Sequence, residues 1–133
     1  MRIFSFEKLI AWQKSRELAM LIFTTTKKFP KDELFGLTSQ MRRCSVSIAS
    51  NLAEGSGRNS MKDKARFSEI AYSSSLELLN QVILCRDFEY VDENQSILIR
   101  EKITEVNMLI DGLYKSQISN KNNFHTIHNR QAF

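Results

Sequence analysis

Apolar residues recur along this chain at the spacing of an α-helix. In the clearest stretch they follow one another at intervals of four, three, four and four residues: Leu37, Met41, Cys44, Ile48 and Leu52. That spacing predicts a helix with one stripe buried in a core. A polar stripe of the same period runs beside it: Gln40, Arg43, Ser47, Asn51 and Glu54. We expect these polar groups to need partners, because an unpaired buried polar group costs about 1 to 3 kcal/mol.

Four helices are predicted in all, and they cover about residues 6–28, 38–54, 61–87 and 94–115. The predicted N-caps are side chains that accept hydrogen bonds from a first helical turn: Ser5, Ser60, and Asp92 or Asn94. Phe29-Pro30 is expected to end the first helix, because the residue before a proline avoids helical geometry. Gly55 and Gly57 are expected to end the second, because glycine readily adopts left-handed backbone geometry.

The predicted fold is all-α, an antiparallel up-and-down four-helix bundle with a flexible C-terminal tail. The fourth helix carries a seam of apolar residues with alternating spacings of four and three, which suits near-parallel packing: Ile99, Ile103, Val106, Ile110 and Leu113. We expect a single domain at residues 1–116. Residues 117–133 are polar and rich in asparagine, and we expect them to be flexible.

Two of the predicted helices have more apolar surface than one bundle face can bury. Residues 18–23 read LAMLIF and are apolar on every side. The third helix carries two apolar stripes that lie about 100° apart on the helical period. Exposed apolar surface of this extent marks a protein interface. We therefore expect copies of the chain to associate as a homo-oligomer.

Charge is distributed unevenly along the chain. The formal net charge is +4, with ten Lys and Arg against five Asp and Glu in residues 1–60, and seven against ten in residues 61–118. The basic half supplies the candidate contacts to nucleic-acid phosphates: Lys14, Lys27, Lys28, Arg42, Arg43 and Arg58. Such binding would depend strongly on salt and weakly on base sequence. The same asymmetry could equally guide association between subunits.

No catalytic motif accompanies these residues. A Ser-His-Asp or Cys-His site would need a histidine in the bundle, and both histidines, His125 and His128, lie in the predicted tail. Their HxxH spacing supplies too few ligands for a metal, so we predict no metal and no cofactor. Four residues are expected to form a structural polar cluster rather than an acid-base pair: Arg16, Asn51, Glu54 and Glu77. For Arg16, a solvent-reaching surface position is favoured over a buried ion pair.

The sequence also bears on the compartment. Cys44 and Cys85 lie in apolar helical context without a CxxC motif, which favours buried free thiols in a reducing cytosol over a disulfide. The first residues lack the apolar core and cleavage site of a signal peptide. No run reaches the roughly 18 apolar residues that span a bilayer. We expect a cytoplasmic protein that is not inserted in a membrane.

Three segments resemble a known family: FEKLIAWQKSRELA at residues 6–19, FPKDELFGLTSQMRRCSVSIASNLAEGSGR at 29–58, and ARFSEIAYSSSLELLNQ at 65–81. The chain resembles the bacterial four-helix-bundle proteins encoded in intervening sequences of 23S ribosomal RNA genes, also called S23-type ribosomal proteins. The resemblance implies an antiparallel bundle that assembles as a ring-like homopentamer. It also implies kinship with the accessory protein of diversity-generating retroelements, a basic barrel that binds nucleic acid and a reverse transcriptase. The family has no established enzymatic activity or cofactor, so the resemblance assigns no catalytic residue.

Two functions are consistent with these observations. The first is a noncatalytic homo-oligomeric bundle that binds structured RNA or DNA through its basic surface. The second is a protein-interaction scaffold or accessory subunit that binds a protein partner and no nucleic acid. Steep salt dependence of RNA binding would distinguish the first from the second.

Overall fold

The structure, a computed structural model, describes residues 1–123 and consists there of four α-helices and two short 3₁₀ helices. The helices are α1 (Ile10–Thr26), α2 (Leu37–Ser56), α3 (Met61–Asp87) and α4 (Glu93–Asn123). The 3₁₀ helices, Ser5–Lys8 and Lys31–Glu33, precede α1 and α2. No strand occurs in this part of the chain. The predicted all-α class is confirmed.

The four helices surround a single core in the order of the chain. Helix α1 packs against α2 and α4, and α3 packs against the same two helices. Ser68 of α3 pairs with Gln117 of α4, while Ser75 pairs with Asn107, so these two helices run in opposite directions. The largest fully buried side chains come from all four helices and include Leu18, Ile22, Met41, Ile48, Leu78, Ile103 and Ile110. This arrangement confirms the predicted four-helix bundle.

The chain enters α1 differently from the prediction. Ser5 lies inside the first 3₁₀ helix and caps nothing, and the backbone N–H of Phe4 donates to Glu7 Oε2 at 2.8 Å instead. Leu9 is extended, with φ −77° and ψ 119°, and separates this turn from α1. The Gln13 side chain fixes the entry because its Nε2 donates to the Glu7 carbonyl at 2.8 Å. The predicted Ser5 cap is therefore wrong.

The end of α2 also corrects the prediction. The helix continues through Gly55 to Ser56, and neither Gly55 nor Gly57 has a positive φ. Gly55 is buried, and a Cβ built on it would lie 2.8 Å from the Phe67 Cβ. Glycine is used at this position because α2 and α3 approach closely there, not because a left-handed cap is needed.

The starts of α3 and α4 follow the predicted chemistry. Ser60 Oγ accepts a hydrogen bond from the Asp63 N–H at 3.1 Å, as an N-cap should. Asp92 caps α4 by accepting from the Gln95 N–H at 2.8 Å, and Gln95 Oε1 accepts from the Asp92 N–H at 3.0 Å. This is a reciprocal capping box. Of the two residues proposed for this cap, Asp92 is the one used.

Helix α4 extends to Asn123, eight residues beyond its predicted end at Lys115. Gln117 is buried, and its Oε1 accepts a hydrogen bond from Ser68 Oγ at 2.8 Å. Residues 117–123 of the predicted tail are therefore helical, because a residue of α3 anchors this part of the helix. The rest of the tail, including His125 and His128, lies outside the described residues.

Candidate nucleic-acid interface

Arg42 is held in place by α1. Its Nε donates to Thr26 Oγ1 at 2.9 Å, and its guanidinium lies 4.9 Å from the centre of the Phe23 ring. Thr26 Oγ1 in turn donates to the Ile22 carbonyl at 2.8 Å. The guanidinium has further N–H groups that take no part in these contacts. Arg42 can therefore also donate to an oxygen outside the bundle.

Three lysines lie at the same end of the bundle as Arg42. Lys27 and Lys28 directly follow α1, and Lys31 lies in the second 3₁₀ helix. All three are exposed, and none forms an ion pair with a residue that the structure describes. Lys31 is not among the contacts predicted from the sequence, although its place directly after Pro30 is a signal for an exposed turn.

Arg43 points to a different side of α2 from Arg42, because successive residues are about 100° apart around a helix. It lies on the same stripe as Ser47, whose hydroxyl hydrogen-bonds to that of Ser74 in α3 at 3.1 Å. Arg43 is exposed and has no hydrogen bond or ion pair within residues 1–123. The two adjacent arginines therefore face α1 and the α3 side respectively.

The other two predicted contacts lie towards the opposite end. Lys14 Nζ is 3.6 Å from Glu17 Oε2, and an Arg58 terminal nitrogen is 4.0 Å from Glu54 Oε2. Arg58 follows the end of α2, which is about 20 Å along the helix from Arg42 at a rise of 1.5 Å per residue. The structure thus gathers Lys27, Lys28 and Arg42 at one end, with Lys31 and Arg43 nearby, and separates Lys14 and Arg58 from them. We refer to Lys27, Lys28, Lys31, Arg42 and Arg43 as the basic end.

The residues proposed as a polar cluster make separate contacts. Arg16 is exposed, with its guanidinium 5.7 Å from the Trp12 ring centre, which agrees with the favoured surface position. Asn51 Nδ2 donates to the Ser47 carbonyl at 2.8 Å. Glu54 pairs with Arg58, and Glu77 Oε2 accepts a weak hydrogen bond from Cys44 Sγ at 3.7 Å. Among the described residues, no hydrogen bond or ion pair joins two of the four.

The polar stripe of α2 lies at the rim of the α2–α3 contact. Gln40, Arg43 and Glu54 are exposed, so water can hydrate them. Ser47 and Asn51 are half-buried and hydrogen-bonded to each other and, for Ser47, to Ser74. The expected need for protein partners therefore applies to these two residues only.

The two cysteines are free and buried, as predicted. Burial, and then the nearby Glu77 carboxylate, raises the pKa of the Cys44 thiol to about 12. Burial, and then Glu33, raises the pKa of Cys85 to about 12. Both thiols are therefore protonated near neutral pH and poor nucleophiles. In the described part of the chain, no three His, Cys, Asp or Glu residues come together as a metal site would require.

Comparison with known proteins identifies the family. The family model described as 23S rRNA-intervening sequence protein matches residues 7–112, which is most of the chain. The chain belongs to this family. A crystal structure of an S23 ribosomal protein family member from Bacteroides thetaiotaomicron, described as a protein with unknown function, matches with a TM-score of 0.71 and 25% identity, over 79% of this chain and 98% of that one.

Two further findings bear on this member of the 23S rRNA-intervening sequence protein family. Among curated protein sequences, no relative matches the chain. Of the helices described, none is long and apolar enough to cross a membrane.

Proposed function

We propose that this family member is a noncatalytic homo-oligomer that binds structured RNA or DNA through the basic end. The observation that supports the proposal is a group of exposed cations that lack protein counter-charges. Lys27, Lys28, Lys31 and Arg43 form no ion pair within the described chain, so their charge is available to phosphates. Each phosphate that a cation neutralises releases counterions from the nucleic acid, which drives binding.

Arg42 has a distinct role in the proposal. Its contacts with Thr26 and Phe23 hold the guanidinium before any ligand arrives, so little side-chain entropy is lost on binding. A fixed guanidinium can also donate two parallel hydrogen bonds to one phosphate, which an ammonium cannot. We infer that Arg42 orients the nucleic acid, while the lysines and Arg43 supply attraction without geometric preference.

The first test is a salt series with a labelled RNA hairpin, followed by fluorescence anisotropy. The variant Lys27→Gln/Lys28→Gln/Arg43→Gln should bind more weakly, and the slope of log affinity against log salt should fall by about 0.7 to 0.9 for each cation that no longer neutralises a phosphate. The matched control removes three exposed cations elsewhere that likewise lack ion pairs among the described residues, Lys62→Gln/Arg66→Gln/Arg100→Gln. Equal reductions of affinity in the two variants, or undetectable binding by the wild-type oligomer, would refute the proposal.

The family's description names an rRNA sequence and states no binding partner. Kinship with the accessory proteins of diversity-generating retroelements and a pentameric ring remain part of the proposal, as does a cytoplasmic location. The kinship and the ring rest on the likeness of the LTSQMRR and SIASNLAEGSGR segments, and the cytoplasmic location rests on the two buried free thiols. Light scattering of the purified chain across a range of concentrations would test the pentamer directly.

A second function, a protein-interaction scaffold without nucleic-acid binding, is favoured by one observation. The outer surface of α3 and α4 exposes six large apolar side chains: Ile70, Leu76, Ile83, Ile97, Leu98 and Met108. Apolar groups of this kind contribute to protein contacts and not to phosphate contacts. A stable oligomer that binds no RNA at low salt, yet retains a protein partner after nuclease treatment, would favour the scaffold.

A further inference from the structure

A cavity of about 290 Å³ lies at the end of the bundle opposite the basic end, where the first 3₁₀ helix, the end of α2, the start of α3 and α4 meet. Part of its wall is apolar and consists of Leu9, Leu52, Met61 and Leu113. The polar part consists of serine hydroxyls, the ammonium group of Lys64 and the side-chain amide of Gln117. None of the described residues that line the cavity is acidic. The cavity therefore combines apolar surface with groups that donate hydrogen bonds.

Gln117 offers a hydrogen-bond donor in this wall. The residue is 9% exposed, and its Oε1 accepts a hydrogen bond from Ser68 Oγ at 2.8 Å. Ser68 is itself buried, so this bond fixes the amide from the inner side of the cavity. The Gln117 Nε2 donates to no residue that the structure describes. A donor that is already held in place loses little side-chain entropy when a ligand supplies the acceptor.

Lys64 supplies the charge of the cavity. Its Nζ donates to the carbonyl of Ser56, the last residue of α2, at 3.0 Å. An ammonium group has three N–H donors, so this contact leaves others for a ligand. Lys64 forms no ion pair with any residue in the described part of the chain. Because Lys64 is half-buried, solvent and salt screen its charge less than that of an exposed lysine.

We propose that this cavity binds a small carboxylate that carries a short apolar chain. The carboxylate oxygens accept from the Lys64 ammonium and the Gln117 amide, and hydrogen bonds between charged groups are stronger than those between neutral ones. The apolar chain lies against the leucines of the wall and against Met61, whose flexible thioether adapts to the shape of a ligand.

The size of the cavity limits the ligand further. Small-molecule pockets have volumes of about 300 to 1,000 Å³, so this cavity suits a short chain and excludes a long fatty acid. An Asp or Glu side chain of a partner protein fits less well, because it is too short to cover the apolar wall. The cavity is separate from the basic end, so the proposal does not depend on nucleic-acid binding.

The experiment is an NMR titration of the full-length protein with isotope-labelled leucine and methionine methyl groups. Hexanoate is the probe, hexanol is its neutral analogue, and hexylammonium carries the opposite charge on the same chain. We expect saturable shifts of the Leu52, Met61 and Leu113 methyl signals with hexanoate. Hexanol should bind about two- to fivefold more weakly, because it lacks the charge that pairs with Lys64. Hexylammonium should bind more weakly than hexanol, because Lys64 repels it.

The variant Lys64→Met keeps the apolar part of the side chain and removes its charge. It should weaken hexanoate binding by about two- to fivefold and leave hexanol binding unchanged. The matched control, Lys62→Met, removes an exposed lysine of the same helical turn that does not line the cavity, and it should leave hexanoate binding unchanged. Gln117→Met removes the amide donor and should also weaken hexanoate binding. Circular dichroism checks that this variant is folded, since Ser68 loses its partner.

Three results would overturn the proposal. The first is the absence of saturable shifts with hexanoate. The second is equal affinity for hexanoate and hexanol, which would mean that the cavity does not recognise the carboxylate. The third is an equal loss of hexanoate binding in Lys62→Met and Lys64→Met, which would mean that the net charge of the protein and not the cavity attracts the anion.

Discussion

Gly55 and Gly112 lie inside helices, but their surroundings differ. A Cβ on Gly55 would lie 2.8 Å from the Phe67 Cβ, whereas a Cβ on Gly112 would have no heavy atom within 4 Å. Neither glycine has a positive φ, so an L side chain is compatible with both backbones. Alanine substitutions at the two positions therefore distinguish the cost of steric overlap from the higher intrinsic helix preference of alanine.

We expect Gly55→Ala to destabilise the fold by about 1 to 3 kcal/mol, because α2 and α3 must move apart. Gly112→Ala should instead stabilise it by about 0.4 to 1 kcal/mol, because alanine loses less backbone entropy than glycine in a helix. Urea unfolding monitored by circular dichroism measures both changes. If Gly55→Ala proved neutral or stabilising, the close approach of the two helices would be incorrect.

Cys85 makes stability depend on pH in the alkaline range. The folded protein holds the pKa of this thiol at about 12, against an ordinary value of 9.0. Above about pH 9 the unfolded chain loses this proton and the folded chain keeps it, so the unfolded state binds fewer protons and stability falls as pH rises towards 12. Below pH 9 both states are protonated, and the thiol adds no pH dependence.

The expected slope from Cys85 is about 1.4 kcal/mol per pH unit between these two pKa values. Unfolding in urea at pH 8 and pH 10.5 should therefore show a smaller loss of stability in Cys85→Ala than in wild type. Tyrosines and lysines that also titrate are present in both proteins, so they cancel in the comparison. A stability difference between the two proteins that does not change with pH would contradict the assignment.

At the level of elements, α4 shows how a distant contact can set the end of a helix. Ser68 and Gln117 are 49 residues apart in the chain and share a buried hydrogen bond of 2.8 Å. Without Gln117, the Ser68 hydroxyl would be buried and unpaired, which costs about 1 to 3 kcal/mol. The stability of the α3–α4 contact therefore extends beyond the predicted domain end at residue 116.

A chain ending at Ser116 should accordingly be less stable than one ending at Asn123. Thermal unfolding of the two chains, each with and without Ser68→Ala, forms a double-mutant cycle. We expect Ser68→Ala to destabilise the longer chain by about 1 kcal/mol and to have little effect on the shorter one, where the partner is already missing. An equal effect in both chains would show that the hydrogen bond does not anchor α4.

The features that the sequence predicted well are local or periodic. The apolar stripe of α2 and the Ser60 cap depend on residues within a few positions of one another, so their spacing reveals them. The features that it missed depend on contacts across the bundle. Position 55 needs a glycine because Phe67 of α3 leaves no room for a Cβ there. The end of α4 depends on the hydrogen bond between Ser68 and Gln117. The candidate site follows the same division. The cations could be read from the sequence, but the contacts that hold Arg42 against Thr26 and Phe23 of α1 could not.

For the whole molecule, helix order converts the charge asymmetry of the sequence into two opposed faces. Because α1 and α2 are neighbours and α3 and α4 are neighbours, the basic half forms one side of the bundle and the acidic half the other. Exposed apolar side chains occur on both sides: Met20, Phe23 and Val46 on the first, and Leu76, Ile83, Ile97 and Met108 on the second. Such unlike, complementary faces favour a head-to-tail contact, which closes into a ring when the rotation between copies allows it.

The homo-oligomer can be tested on α3, where Leu76 and Ile83 are 48% and 39% exposed and two helical turns apart. Leu76→Lys/Ile83→Lys should lower the molar mass measured by light scattering, because the change removes apolar contact and adds repulsion towards a basic face. Ser73→Lys/Asn80→Lys adds the same charge on the same helix at the same spacing, without removing apolar groups, and should weaken association less. If the two double variants lowered the molar mass equally, the added charge alone would explain the weaker association. A wild-type chain that stays monomeric at high concentration would exclude the oligomer, and the exposed apolar groups would then need a different partner.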